Sequence, residues 1–318
     1  MSDTQDQAED QNLAEENKRP DGKPLQEDKK SAQKSEKSGS SDGVARLAEY
    51  EIESSERFES YDNGVIRAYK ATQKKGRGNF IAYVNEQPLV PRHNKVEIYQ
   101  GIINPNLAKL VRHGAVYWPP AKQERYVFIY ENTLGTKLIT DDQEQALGFK
   151  NDIVMERILK PFSGILQDFR DRDFVHGSIR ASNIYNGGSN NLKQIVLGDC
   201  LTSPSGYNQN AQYEPIDRAM ADNIARGPGT QATDMYAFGV MLAVMLRQHD
   251  PMHGLSDDAV IKRKLDIGSY AAVTGKDRFT GPILELLRGL LHDDVSQRWT
   301  IDETLAWLDG RRLSPKQA

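Results

Sequence analysis

The 318 residues have room for one large or two medium domains, and a formal charge of -4, from 41 Lys+Arg against 45 Asp+Glu, offers no basic surface for nucleic acid. The lone cysteine, Cys200, excludes an internal disulfide framework and any cysteine-rich metal site, and it fits a reducing compartment. No apolar signal core opens the chain, and the longest apolar run, Tyr236–Leu246, is too short to cross a bilayer, so a cytoplasmic protein without a membrane-spanning segment is expected.

Residues 1–43 carry no aromatic side chain, and their seven basic and eleven acidic groups account for the whole net charge. Such a segment cannot bury enough apolar surface to offset its ordering entropy, so a disordered polar tail is expected. From Val44 the composition is globular. Arg67–Lys70 and Phe80–Val84 are predicted strands on either side of the basic turn Lys74–Gly78. Asn94–Gln100 is a predicted short helix, and Gly114–Trp118 with Tyr126–Tyr130 a predicted hairpin across Pro119–Glu124. Ile153, Ile158, Leu159, Phe162, Ile165, Leu166 and Phe169 then recur at three- and four-residue spacing, which predicts an amphipathic helix of about twenty residues.

The stretch Phe174–Cys200 organises the second half. An apolar lead enters a loop opened by His176 and closed by Asn183; Asn186–Gly187 is a turn signal, and Ile195–Leu197 runs into Asp199. Two short strands joined by an Asn-Gly turn read as a hairpin whose mouth brings Asn183 and Asp199 together. That oxygen pair suits a hard cation holding phosphates, and a plain surface hairpin with a polar end explains the same spacing. Thr233–Leu242 is apolar all round, as a buried helix would be, and Asp234 near its start suits an N-terminal cap. Thr300 with Glu303 forms a capping box for a final helix.

The ordered series resembles the eukaryotic-type (Hanks-type) protein-kinase superfamily, in the form of a bacterial pseudokinase. His176-Gly177-Ser178-Ile179-Arg180-Ala181-Ser182-Asn183 is similar to H-R-D-x-x-x-x-N, and Asp199-Cys200-Leu201 to D-F-G. Asn104–Leu110 resembles the H-P-N-I-v-x-L entry to a strand, Thr233–Leu242 the S-D-x-Y-S-x-G-V-x-L start of the central helix, and Leu291–Thr300 the L-x-x-D-P-x-x-R-p-T segment. Tyr213–Asp217 resembles A-P-E imperfectly. The likeness spans residues 60–310.

The resemblance implies an α+β, two-lobed kinase-like fold: a polar tail 1–43, a small mainly β N-lobe 44–131, a larger mainly α C-lobe 132–312 and a tail 313–318. Glu131-Asn132 would be the hinge beside the nucleotide. Gly76 and Gly78 would lie at the phosphate-covering loop, without its G-x-G-x-x-G. Val84 would stand at the phosphate-binding lysine, with Lys95 the nearest substitute, and Glu97 would be that lysine's usual partner. Asn183 and Asp199 would hold the metal, and Ser178 would stand where the catalytic aspartate belongs. His176, Asp234 and Arg298 would be architectural, Asp234 receiving backbone N–H groups of the His176 loop and Arg298 pairing with the acid near Pro215. Thr202, Ser203 and Ser205 would lie on the activation loop as candidate phosphoacceptors.

The groups that hold the C-lobe together thus match the family, and the groups that move a phosphoryl group do not. Loss of a general base costs about 10²–10⁴-fold, and loss of the lysine removes charge stabilisation besides. The expected function is a catalytically impaired pseudokinase that acts as a scaffold or allosteric regulator through a protein partner. The alternative is an atypical Ser/Thr kinase or other ATP-using transferase, with ATP held weakly by magnesium or manganese.

Overall fold

The structure, a computed structural model, describes residues 43–139, 150–188, 192–276 and 279–313, which lie in the compact unit Ser40–Ala318. All of the expected N-terminal tail except Gly43, and residues 314–318, lie outside the described residues. The first half is an antiparallel sheet of six strands: β1 (Val44–Leu47), β2 (Tyr50–Arg57), β3 (Ile66–Gln73), β4 (Asn79–Asn85), β5 (Leu110–Trp118) and β6 (Gln123–Glu131), in the order β1-β2-β3-β4-β6-β5. Both of its faces are apolar. Tyr69, Ala82, Val84, Trp118, Val127 and Ile129 cluster on one side. Ile66, Ala68, Ile81, Tyr83, Phe128 and Tyr130 face the other way and join the core shared with the helices. One short helix, α1 (Val96–Gln100), leans on that inner face through Val96 and Tyr99.

The predicted long helix spans 151–171 as α2 (Asn151–Val154), a π turn (Met155–Leu159) and α3 (Lys160–Asp171). Pro161 explains the break: it cannot donate to the preceding turn, and its ring crowds the carbonyl one turn back. Ile158, Leu159, Phe162, Ile165, Leu166 and Phe169 form the buried stripe that the spacing predicted, while Ile153, the first residue of the predicted series, is exposed and Val154 is buried in its place. After α4 (Ile216–Ala219), α5 (Gln231–Arg247) runs through the middle of the helical half, buried at every position from Asp234 to Leu246. Its N-cap is Thr230, in a capping box with Thr233, so Asp234 is free for another use. Four helices follow it, α6 (Asp257–Ile267), α7 (Ser269–Thr274), α8 (Gly281–Leu290) and α9 (Ile301–Leu308), of which α7 and α8 pack on α5 and α9 packs on α3. The last opens with the expected box, Glu303 accepting from the Thr300 N–H at 2.7 Å. A sheet-built first half and a helical second half make the α+β fold. Among the described residues no helix is long and apolar enough to cross a membrane.

Candidate functional site: a closed inter-lobe cleft

The second, two-stranded sheet, β7 (Ile184–Tyr185) with β8 (Val196–Leu197), closes the Phe174–Cys200 stretch. Asn186–Gly187 does not join these strands as a two-residue turn; it packs under the hinge, where the Gly187 N–H donates to Leu134 O at 2.8 Å. The pairing nevertheless places Asn183 beside Asp199, the Asn183 Nδ2 donating to the Asp199 carbonyl at 3.0 Å.

His176 is wholly buried. Its Nδ1 accepts from the Ser178 N–H at 3.2 Å, which leaves the proton on Nε2, facing Gly198 O at 3.3 Å. Burial, with the Arg92 and Arg180 charges, pushes its pKa down to about 3, so the imidazole is neutral. Asp234 accepts the N–H of His176 at 2.6 Å and of Gly177 at 2.8 Å, clamping the loop to the start of α5. Burial lifts its pKa to about 6, those two donors opposing. Gly177 is required there: its φ is +64°, and a Cβ would lie 1.9 Å from Ser205 Oγ. Arg298 donates to the carbonyls of His292, Ala232 and Asp293 at 3.0, 3.1 and 3.3 Å; burial lowers its pKa, with Tyr236 and Asp217 among the groups opposing. Glu214, just before Pro215, pairs with Arg218 at 2.8 Å.

Several expected positions are corrected by the sheet register. Val84 faces the outer cluster with Trp118 and Val127, away from the cleft. The cleft-facing residue is Tyr83, fully buried, because a one-residue shift in a strand exchanges its two faces. Its ring meets Tyr130 edge-on at 5.7 Å, and burial, the facing Tyr185 and nearby Asp199 hold its hydroxyl pKa well above 10. The loop that lies over the cleft is Phe58–Val65, between β2 and β3. Lys74–Gly78 instead joins β3 to β4 as an exposed turn, its Lys74 pairing with Glu51 at 3.6 Å. Glu97 is exposed on α1 and forms no ion pair with a lysine of the described residues; Lys95 is likewise without an ion pair. Thr202, Ser203 and Ser205 are buried and so are closed to a modifying enzyme. Glu131 turns outward to Lys109 Nζ at 2.6 Å, lining a cavity of about 840 Å³ behind the hinge with Ile103 and Leu107.

The candidate metal ligands are already engaged. Asp199 Oδ1 accepts the Tyr130 hydroxyl at 2.6 Å and the Leu201 N–H at 3.0 Å, and Oδ2 accepts the Thr202 N–H at 3.3 Å. Burial pushes its pKa up, with those donors opposing. Asn183 gives its amide to Ser178 O at 2.9 Å, and its Oδ1 receives the Asn63 amide at 3.3 Å. Ser178 itself is buried, its Oγ 3.4 Å from the Asn183 amide, and a hydroxyl there is not a base at neutral pH.

Arg92, which the sequence did not single out, ties the halves together. From just before α1 its guanidinium donates to the carbonyls of Val175, His176 and Cys200 at 2.5, 2.7 and 3.0 Å and lies 5.3 Å from the Phe174 ring centre. Its only sequence signal was a charge in an otherwise extended Pro-Arg-His step.

An ATP–metal pair does not fit these residues as they stand. Tyr83 brings no charge to the position where the family's lysine would stand, the Asp199 oxygens are spent on protein donors, and Asn63 lies between Arg180 and Asn183. Among the described residues no group of three or more His, Cys, Asp or Glu side chains is placed to hold a metal ion.

The fold is that of the protein kinases. The chain superposes on the crystal structure of Rad53 1–466 in complex with AMP-PNP with a TM-score of 0.60 at 16% identity, over 82% of this chain and 65% of that one. It superposes on the Cydia pomonella granulovirus kinase PK-1 with a TM-score of 0.57 at 16% identity, over 81% and 93%. By sequence it is 23% identical over 204 residues to an Aurora kinase of Eremothecium gossypii, a match that takes in 64% of this chain and about half, 52%, of the relative's length. No family profile matches the chain.

Proposed function

We propose that this chain is a pseudokinase, a kinase-fold domain that works by binding a protein partner and not by transferring phosphate. The observation that carries the reading is the 2.6 Å bond from Tyr130 to Asp199: the carboxylate that would hold magnesium is used as a rivet between the two halves. Tyr83 and Ser178 complete the case, since neither side chain supplies the cation or the base that phosphoryl transfer uses at those positions. Electrostatic stabilisation and base catalysis are both withdrawn, while the Asp234 carboxylate, holding the His176 and Gly177 N–H groups, keeps the loop in shape. The test is a phosphoryl-transfer assay with labelled ATP on the full chain, paired with a thermal-shift titration with ATP and magnesium or manganese. No transfer and no shift at millimolar nucleotide is the expected result. Transfer to itself or to a generic protein, abolished by Asp199→Asn, would refute the reading.

A second reading, an atypical Ser/Thr kinase or related ATP-using transferase, is favoured by one finding: the proteins this chain resembles are kinases, and one of them is described in complex with AMP-PNP. It requires Asp199 to leave Tyr130 and face a metal. A metal-dependent thermal shift lost in Asp199→Asn is its signature.

A further inference from the structure

We infer that the Phe58–Val65 loop is a resident occupant of the inter-lobe cleft, a built-in ligand that holds the two halves closed with no nucleotide present. The loop is fixed to its own half first: the Asp62 carboxylate accepts the Ala68 N–H at 3.0 Å and the Arg57 guanidinium. It then reaches across. Lys137 Nζ donates to the Asp62 carbonyl at 2.5 Å, and the Val65 N–H to Asn208 Oδ1 at 3.3 Å. Asn63, 2% exposed, is the bolt: its Oδ1 accepts the Arg180 guanidinium while its amide donates to Asn183. Tyr61 lays its ring over Tyr185, 5.7 Å between centres and tilted by 34°. Gly64 permits the close approach. Its φ is +61°, and a Cβ there would sit 2.4 Å from Asn208 Oδ1.

Two of these contacts occupy places a bound nucleotide would take: the Tyr61 ring lies on the cleft floor at Tyr185, and the Asn63 side chain sits between Arg180 and Asn183, turning its oxygen to the arginine and its amide to the asparagine. Because the ligand is covalently part of the chain, its effective concentration is set by the strands that flank it, not by the solution. The closed form then presents a constant surface to a partner whatever the nucleotide level. The inference rests on the pseudokinase reading only in naming nucleotide as the ligand displaced.

Hydrogen exchange on the full chain, with and without ATP and magnesium, tests it in the wild type, Asn63→Ala and Tyr61→Ala. In nucleotide-free wild type, amides of 58–66 and 176–186 should be protected, and ATP with magnesium should change nothing. Either variant should speed exchange in both segments about tenfold, as loss of one or two hydrogen bonds or a ring contact allows, while α5 stays protected as proof of folding. Unchanged exchange in both variants, or wild-type protection that arises only on adding ATP and magnesium, would overturn the inference. Phosphoryl transfer by Asn63→Ala but not by wild type would leave the loop as occupant and overturn the pseudokinase reading instead, so the two fail separately.

Discussion

Arg92→Met removes the charge that joins the α1 segment to the His176 loop while keeping the length of the side chain. Three carbonyls, those of His176 and Cys200 buried and that of Val175 partly so, lose their donors at 2.7, 3.0 and 2.5 Å, and Phe174 loses a cation over its ring. Bonds to a charged donor are worth about 1.5–3 kcal/mol each, and the three share one guanidinium, so they do not add. The cation–π contact is worth about 0.5–2 kcal/mol, and the desolvation already spent on a side chain only 9% exposed is returned on deletion. The net loss works out at about 3–5 kcal/mol, a large part of the ~5–15 kcal/mol that holds a domain together. At about 2–4 °C per kcal/mol for a domain of this size, the melting midpoint should fall by about 6–20 °C. Urea titration followed by far-ultraviolet circular dichroism measures it directly. Arg92→Lys, which offers one compact ammonium in place of a fork, should fall between the two. A loss below about 1 kcal/mol in Arg92→Met, or an Arg92→Lys protein as stable as wild type, would refute the clamp.

The helical half was legible because its signals are local. Thr300 and Glu303 lie one turn apart, and the apolar stripe of α3 recurs within a single helix, so each needs no knowledge of the rest of the chain. Asp234 was legible by likeness, and the structure adds why it is free for the His176 loop: Thr230 caps the helix in its place. The cleft was not legible for a physical reason. Phe80 to Asn85 is buried throughout, because the sheet is covered on both faces, so no alternation marks which side chains face inward. Val84 and Tyr83 are indistinguishable on pattern, and the choice between them reverses which residue meets the cleft. The loop over the cleft carries one glycine and no phosphate signature, and its partners Arg180, Asn183 and Asn208 lie more than a hundred residues away. Tyr130 and Asp199, 69 residues apart, are joined only by the closure of the two halves.

Three further outcomes follow from the same contacts. Lys264 donates to the carbonyls of Ala211, Gln212 and Glu214 at 2.6, 3.0 and 2.7 Å, and burial pushes its pKa down from 10.5 to about 7. Between pH 7 and 9 the unfolded chain therefore holds a proton that the folded chain has released, so stability rises with pH by up to about 1.4 kcal/mol per unit; urea titrations at both pH values should show this slope in wild type and not in Lys264→Met. Gly177→Ala must adopt a left-handed φ and press on Ser205, and should cost about 2–4 kcal/mol, of which Ser205→Gly in the same chain should recover the steric part and leave about 1–2 kcal/mol; equal losses with and without Ser205→Gly would show that the contact is not what matters. The last concerns the missing catalytic groups. Ser178→Asp with Tyr83→Lys restores a base and a cation at the two vacant roles, and if those two losses were the whole reason for silence, transfer of labelled phosphate should return. It should not. Tyr130 still holds Asp199, Asn63 still lies between Arg180 and Asn183, and an ammonium at the wholly buried position of Tyr83 would be driven toward its neutral form by desolvation. The double variant should therefore show no transfer above background; measurable, magnesium-dependent turnover from it would mean that the closed cleft opens readily, and that the loop and the Tyr130 bond are no barrier to nucleotide.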